Sequence, residues 1–160
     1  MLGETVAMAT DYRKPGLFTR YVFNQLVAWL TRHGISVLGS RVLAVRGRTS
    51  GQWRTTPVNL LEYEGRRYLV APRGETQWVR NLRVAGTGEL RLGKRAEPFR
   101  GRELTDEEKL PVLRAYLKRW KAEVGIFFEG TGAGSTDEQM RAIAPKHPSF
   151  EVVPVGSELT

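Results

Sequence analysis

The stretch R-G-R-T-S-G-Q-W-R-T-T-P, residues 46–57, has the composition of a tight turn between two strands. Arg48 and Arg54 flank this turn, and Thr49, Ser50 and Gly51 add hydroxyl groups and exposed backbone N–H groups. Guanidinium forks and free N–H groups are the donors that a phosphate-bearing ligand requires. The stretch therefore predicts a cradle for an anionic ligand, and the alternative interpretation is a solvated basic hairpin.

A second stretch, A-P-R-G-E-T-Q-W-V-R-N-L at residues 71–82, predicts an arginine–glycine turn followed by a short helix. Trp78 and Asn81 are three residues apart, so they share a helix face. The indole offers a flat surface to a ring, although a tryptophan of this kind is more often a core residue. The Asn81 amide can bond either a ring carbonyl or a buried backbone group. We expect Arg73 to lie near the first turn.

The amino-acid composition limits the classes of function that are open to the protein. The chain has 160 residues, which favours one domain, and 25 Lys and Arg against 17 Asp and Glu give a net charge of +8. Such a charge favours anionic partners. The absence of cysteine excludes disulfides and thiolate catalysis, and two histidines are too few for a histidine cluster, so we expect no metal. Chemistry here would be supplied by a cofactor that the protein orients.

The predicted organisation is a flexible N-terminal arm at residues 1–14, a single domain at 15–154 and a C-terminal tail at 155–160. The domain begins with an amphipathic helix to about His33, which is too short and too polar to span a bilayer. This helix either packs on the core or touches a membrane surface peripherally. Because no secretory signal is evident in the sequence, we expect a cytoplasmic protein.

The remaining segments predict short antiparallel strands with interspersed helices, an α+β arrangement around a small barrel. A capping box at Thr105 and Glu108 predicts a helix to about Val124, and the glycine-rich segment 130–135 predicts a linker or lid. The predicted strands are Arg41–Arg46, Trp53–Tyr63, Arg67–Ala71, Glu89–Leu92, Glu97–Arg102 and Phe150–Val153, the last closing the barrel. Two further helices are predicted. One begins at Thr76 or Glu75 and ends near Gly86, and the other spans Asp137–Ala144.

The two stretches resemble the patterns G-R-(K/R)-S-G-x-x-R-x-(S/T)-P and A-S-(K/R)-G-G…W-x-x-N-L of the deazaflavin-dependent nitroreductase and quinone reductase family. The segment H-P-S-F-E-V at residues 147–152 is similar to that family's closing strand. The resemblance implies a split β-barrel, mostly antiparallel and flanked by helices, that binds coenzyme F-420. It implies an oxidoreductase that passes a hydride from reduced F-420 to a quinone, an activated enone or a nitro compound.

Carried over by motif position, the resemblance implies three groups of cofactor-binding residues. Arg48, Thr49, Ser50 and Arg54 would hold the phosphate and the oligoglutamate tail. The ribityl and ring region would be lined by Thr56, Pro57 and Val58. The opposite wall would comprise Ala71, Pro72, Arg73, Gln77, Trp78 and Asn81.

Departures from the family pattern concern Thr49, where Lys or Arg is common, Pro72, where a small polar residue is common, and Glu75, where Gly is common. The last two touch the substrate side, so the acceptor is not transferred from any relative. The sequence singles out no catalytic residue. The proton donor is either solvent or a nearby hydroxyl, and Tyr63 and Tyr116 are candidates by residue type alone.

Three alternative functions stay open on the sequence: an FMN-dependent split-barrel oxidoreductase, a non-catalytic binding protein for F-420 or a lipophilic ligand, and a nucleic-acid binder. Aromatic residues such as Trp53 and Tyr68 could stack on bases. However, the arginines gather in one turn rather than along a track, so we expect no nucleic acid partner. The expected partner is a small-molecule electron acceptor, and the protein is expected to be a monomer or a homodimer.

Overall fold

The computed structural model describes residues 39–156. The arm predicted at residues 1–14 and the amphipathic helix predicted up to His33 lie outside the described residues, as does most of the C-terminal tail. No helix within residues 39–156 is long and apolar enough to cross a membrane.

Seven antiparallel strands form one sheet in the order β2-β1-β5-β6-β7-β4-β3. The sheet curls so that β2 approaches β4, which makes it a half-barrel with three helices, consistent with a split barrel of the α+β class. The strands are β1 Ser40–Arg46, β2 Trp53–Asn59, β3 Leu61–Tyr63, β4 Arg66–Val70, β5 Thr87–Leu92, β6 Arg95–Glu103 and β7 Ser149–Pro154. The helices are α1 Gln77–Ala85, α2 Asp106–Val124 and α3 Asp137–Ile143, with 3-10 turns at Gly125–Phe128 and Ala144–Lys146.

The predicted continuous strand Trp53–Tyr63 is wrong, because the chain breaks at Leu60 into β2 and β3. The Leu60 side chain is buried, and its backbone N–H donates to the Gly39 carbonyl at 2.9 Å. Burial of Leu60 therefore redirects the chain from one edge of the sheet, where β2 lies, to the other edge, where β3 pairs with β4. The two halves of the predicted strand line different parts of the molecule.

The final strand does more than close the barrel. β7 pairs with β6 on one side and with β4 on the other, so it joins the two halves of the sheet. Glu151 in β7 lies beside Arg102 of β6, with 3.0 Å between the guanidinium Nε and the carboxylate, and 3.7 Å from Arg66 of β4. Its carboxylate thus bridges the three strands.

Strand β4 separates two apolar clusters, because successive side chains of a strand point to opposite faces. Leu69 belongs to the inner cluster, between the curled sheet and α1, whereas Tyr68 and Val70 belong to the outer cluster beneath α2 and α3. The inner cluster comprises Leu43, Val45, Leu60, Leu69, Ala71, Val79, Leu82, Leu90, Phe99, Phe150 and Val152. Helix α1 packs on this cluster through Val79 and Leu82, and it contacts β1, β5 and β6.

Local capping signals place the helix ends as predicted. Thr105 caps α2: its hydroxyl accepts from the Glu108 N–H at 3.2 Å, and the Glu108 carboxylate accepts from the Thr105 N–H at 2.8 Å. Helix α1 begins after Thr76 and ends at Gly86, whose φ of 77° and N–H bond to the Leu82 carbonyl form a left-handed C-cap. These ends fix the position of α1 relative to the turn between β1 and β2.

Candidate functional site

The turn between β1 and β2 is closed by its own backbone. The Gly47 N–H donates to the Gln52 carbonyl at 2.8 Å, and the Gly51 N–H donates to the Gly47 carbonyl at 2.9 Å. Gly51 has a φ of 74°, a conformation that side chains disfavour. The Ser50 hydroxyl folds back to accept the Gln52 N–H at 3.1 Å. The predicted cradle is therefore a compact turn, with Thr49 exposed at its tip.

Arg48 joins this turn to helix α1. Its Nη1 donates to the Gln77 side-chain oxygen at 2.9 Å and to the Asn81 Oδ1 at 2.8 Å. The same Asn81 oxygen accepts the Arg48 backbone N–H at 3.0 Å. Asn81 is 4% exposed, whereas Arg48 and Gln77 are exposed. The structure thus brings Arg48 together with two predicted site residues that lie 29 and 33 positions further along the chain.

One face of β2 continues the site from the turn toward the inner cluster. Val58 packs on that cluster, so the strand alternation places Thr56 and Arg54 on the same face. Arg54 is exposed, and its Cγ lies close to Gly47, where an added Cβ would be only 3.6 Å from it. This face of β2 carries, in order, the Arg54 guanidinium, the Thr56 hydroxyl and the apolar Val58 side chain.

Pro57 lies on the opposite face of β2 from Thr56 and Val58, so only its backbone borders the face that carries those two residues. Trp53 shares that opposite face and is 37% exposed. The guanidinium carbon of Arg46 lies 4.1 Å from the Trp53 ring centroid, and that of Arg91 lies 5.1 Å from it. The sheet therefore carries a second cationic surface behind the groove.

Two residues of the predicted opposite wall, Ala71 and Trp78, lie together at the inner cluster. Trp78 packs on the inner cluster, with its ring centroid 5.9 Å from that of Phe150, and Ala71 is fully buried. Pro72 is half-buried beside them. Arg73 instead reaches the 3-10 turn, where its guanidinium carbon lies 5.6 Å from the Phe127 ring centroid. This contact is with the 3-10 turn Gly125–Phe128, whereas the sequence predicted a position near the Gly47–Gln52 turn.

Two residues that sequence reasoning missed support this wall. The His147 ring stacks on Phe128, with 4.0 Å between the centroids and 15° between the planes. Its Nδ1 lies 3.3 Å from the Ala71 carbonyl, an acceptor, which assigns a proton to Nδ1. Burial lowers the pKa of His147 below its ordinary value, so the ring is neutral at neutral pH. The only sequence signal was the H-P-S-F segment, which predicted a strand and no role for the ring.

The two tyrosines proposed by residue type lie away from the groove. Tyr116 is 2% exposed in the outer cluster, with its ring 5.1 Å from Trp120 and 6.3 Å from Phe128 between centroids. Tyr63 packs against the same cluster at the β3 edge. Both are on the other side of β4 from Trp78 and Val58. Among residues 39–156, no group of three or more His, Asp or Glu side chains could hold a metal ion.

Together these residues form a strip of surface, called the groove here, that has a cationic end and an apolar end. Arg48 and Arg54, with the Ser50 and Thr49 hydroxyls nearby, supply donors for phosphate or carboxylate groups. Trp78 and Val58, with Thr56 between them and the arginines, supply a surface for a ring. The arrangement suits an elongated ligand that is flat at one end and anionic at the other.

Comparisons with known proteins give one family match and several solved structures of similar fold. The model of the F-420H(2)-dependent quinone reductase family matches residues 26–132. A solved structure described as a domain-swapped dimer has 20% identity and a TM-score of 0.53, with 87% of this chain and 99% of that chain covered. An F-420-H2-dependent reductase, FDR-A, has 20% identity and a TM-score of 0.51, with 71% and 93% covered.

A protein of unknown function from Agrobacterium tumefaciens also has 20% identity, with a TM-score of 0.50 and coverage of 74% of this chain and 49% of that chain. At this level of identity, the solved structures establish similarity of fold. No curated protein sequence matches this chain.

Proposed function

Because the chain belongs to the F-420H(2)-dependent quinone reductase family, and is thus an oxidoreductase whose cofactor is F-420, we propose that it reduces an electron-poor small molecule by hydride transfer. A quinone is the first acceptor to consider, and activated enones and nitro compounds are the others. Membership of the family also decides between the cofactors that the sequence left open, in favour of F-420 over FMN.

The observation that carries this proposal is the contact of Arg48 with Gln77 and Asn81. It holds a guanidinium at the cationic end of the groove, whose other end is lined by Trp78 and Val58. F-420 has the matching order of groups: a flat deazaflavin ring, a ribityl chain, a phosphate and an acidic glutamate tail. The net charge of +8 favours the approach of such an anion from solution.

The donor set of this chain also fits the cofactor's phosphate. Arg48 and Arg54 are guanidinium groups, which bind phosphate bidentately, and Ser50 and Thr49 add hydroxyl donors. Gly51 leaves open space, because an added Cβ there would meet nothing within 4 Å. Thr49 replaces a Lys or Arg of the family pattern, so Arg48 and Arg54 carry more of the charge here.

When bound, reduced F-420 supplies a hydride from its deazaflavin ring. The chain's own residues bind and orient the cofactor: the arginine turn holds the phosphate, and Trp78, Val58 and Ala71 form the apolar wall beside the ring. The β2 face is open to solvent at Arg54 and half-buried at Thr56, so solvent can deliver the proton that follows the hydride. No tyrosine of the outer cluster is required for that step.

A homodimer is part of the same proposal. The solved structure described as a domain-swapped dimer supports it, as does β2, an edge strand of seven residues whose outer backbone has no partner strand within residues 39–156. A molecular mass of about twice 18.1 kDa in light scattering would support the dimer, and a monomer at all concentrations would contradict it.

Binding of F-420 is tested by titrating the wild type and an Arg54→Ala variant with F-420 and with FMN, following tryptophan fluorescence. We expect saturable quenching of the wild type by F-420 and little by FMN. Affinity for F-420 should be roughly ten-fold weaker in Arg54→Ala, because one charge-assisted contact to the anionic end is lost. Preference for FMN would contradict the cofactor assignment.

Arg80→Ala is the matched control, because Arg80 is an exposed arginine of α1 and its loss changes the net charge by the same amount. We expect this variant to bind F-420 like the wild type. Loaded wild-type protein should then oxidise reduced F-420 when menadione is added, and failure with menadione, with enones and with nitro compounds would contradict the proposed reaction.

A further inference from the structure

The guanidinium of Arg48 forms its hydrogen bonds through Nη1 alone within residues 39–156. Both protons of Nη1 are used, one by the Gln77 side-chain oxygen at 2.9 Å and one by the Asn81 Oδ1 at 2.8 Å. Within residues 39–156, the structure records no acceptor for Nε or Nη2 of this residue. The edge formed by Nε and Nη2 is therefore available to a ligand.

That edge is one of the two geometries in which arginine binds an oxyanion with two parallel hydrogen bonds. Arg83 of α1 uses the same edge within this molecule. Its Nε donates to one carboxylate oxygen of Glu103 at 2.8 Å, and its Nη2 donates to the other at 2.7 Å. A phosphate has the same spacing of acceptor oxygens for this purpose. Arg48 thus has the free edge that phosphate binding requires.

Asn81 fixes the direction of that edge. Its single Oδ1 atom accepts both the backbone N–H and the Nη1 of Arg48, so one atom ties the turn and the side chain to the same point. Asn81 is 4% exposed and lies between Val79 and Leu82, which are in the inner cluster, so it has little freedom to move. Gln77, by contrast, is exposed at the first turn of α1.

We propose that Asn81 is a positioning residue, which holds the Nε–Nη2 edge of Arg48 toward the cofactor's phosphate and acts on F-420 through Arg48. The family resemblance implies that Asn81 lies in the wall beside the cofactor, whereas in this role Asn81 acts on the cofactor only through Arg48. The inference rests on the proposed function, because it concerns the same cofactor and the same groove.

A double-mutant cycle tests the proposal. Wild type, Asn81→Ala, Arg48→Ala and the double variant are titrated with F-420 and with the deazaflavin riboside that lacks phosphate and glutamates. We expect Asn81→Ala to bind F-420 roughly ten-fold more weakly, and to bind the riboside within about two-fold of the wild type. In the Arg48→Ala background, the Asn81 substitution should add no further loss.

The riboside also reports folding, because retained riboside affinity shows that the apolar wall is intact in each variant. Gln77→Ala is the matched comparison, since it removes the exposed acceptor alone; we expect its loss of F-420 affinity to be smaller than that of Asn81→Ala. Equal losses for both ligands in Asn81→Ala, or losses that add in the double variant, would overturn the positioning role. If the wild type bound the riboside and F-420 equally, both this inference and the phosphate assignment would fail together.

Discussion

At the scale of single residues, His147 connects the groove wall to the outer cluster. Its ring stacks on Phe128 and its Nδ1–H faces the Ala71 carbonyl, so a neutral imidazole completes the packing beneath residue 71. Two charged groups from neighbouring elements act on it: Lys109 of α2 lowers its pKa, and Glu129 after the 3-10 turn raises it. Desolvation by burial is the largest effect and lowers the pKa.

This lowered pKa predicts a pH-dependent stability. The unfolded chain takes up a proton near the ordinary pKa of 6.5, before the folded chain does, so the stabilisation is complete above that value and is lost as the pH falls toward the folded-state pKa. We expect the free energy of unfolding, measured in urea, to fall between about pH 6.5 and pH 5. In this window the carboxylates of Glu75, Glu97 and Glu108 stay ionised, since their pKa values lie below 4.5.

His147→Gln is the control for this prediction, because glutamine keeps an N–H donor and does not titrate. The variant is expected to be less stable at neutral pH, since the stacking on Phe128 is lost, and to show a flatter dependence over the same window. An equally steep fall in His147→Gln would show that another group causes it.

At the scale of elements, the glycine-rich segment 130–135 illustrates how a distant side chain orders a loop that looks mobile in sequence. The Nη1 of Arg114 in α2 donates to the Ala133 carbonyl at 2.7 Å and to the Ser135 carbonyl, and its Nη2 lies 2.7 Å from the Asp137 carboxylate. The Ser135 hydroxyl accepts the Gly132 N–H at 2.9 Å. The segment is a fixed connection between the 3-10 turn and α3.

Arg114→Ala is therefore expected to release this loop while leaving the sheet in place. Amide hydrogen exchange in residues 131–136 should become roughly ten-fold faster or more, because two charge-assisted bonds to carbonyls are lost. Mass spectrometry of exchanged peptides measures this, with a peptide from β6 as internal reference. Arg141→Ala is the comparison, since Arg141 pairs only at the surface with Glu107, at 2.6 Å; similar acceleration there would contradict the role given to Arg114.

At the scale of the whole molecule, β7 makes one sheet of two halves. Phe150 is 2% exposed on the inner face of this strand, packs in the inner cluster and lies 5.9 Å from Trp78 between ring centroids. The side chain that fills the half-barrel is thus in direct contact with the aromatic wall of the groove. Stability of the fold and shape of the site depend here on the same residue.

Phe150→Ala is expected to lower the free energy of unfolding by roughly 3–5 kcal/mol, because a large buried side chain leaves a cavity. Phe150→Leu should cost less, about 1.5 kcal/mol or below, since it keeps most of the apolar volume. Urea unfolding measures both, and the emission of the folded variants should shift with the surroundings of Trp78. A loss below about 1 kcal/mol in Phe150→Ala would contradict the central position of Phe150.

Local rules account for the elements that the sequence predicted well. Gly86 ends α1 and the Thr105–Glu108 box begins α2, since each signal is carried by residues within one turn of the chain. The break at Leu60 escaped prediction because it depends on burial of that side chain and on a bond to Gly39, neither of which strand periodicity reveals.

The sequence by itself determined the composition of the site: an arginine turn, an aromatic helix and a chain charge suited to an anionic cofactor, together with the motifs of the family. Only the tertiary structure decided which side chains meet. Arg48 faces Asn81, Arg73 faces Phe127, and His147 supports Ala71, because the curled sheet brings together residues that are distant in the chain. Residue types and turns follow from local chemistry, whereas partners depend on how α1 and β7 pack inside the half-barrel.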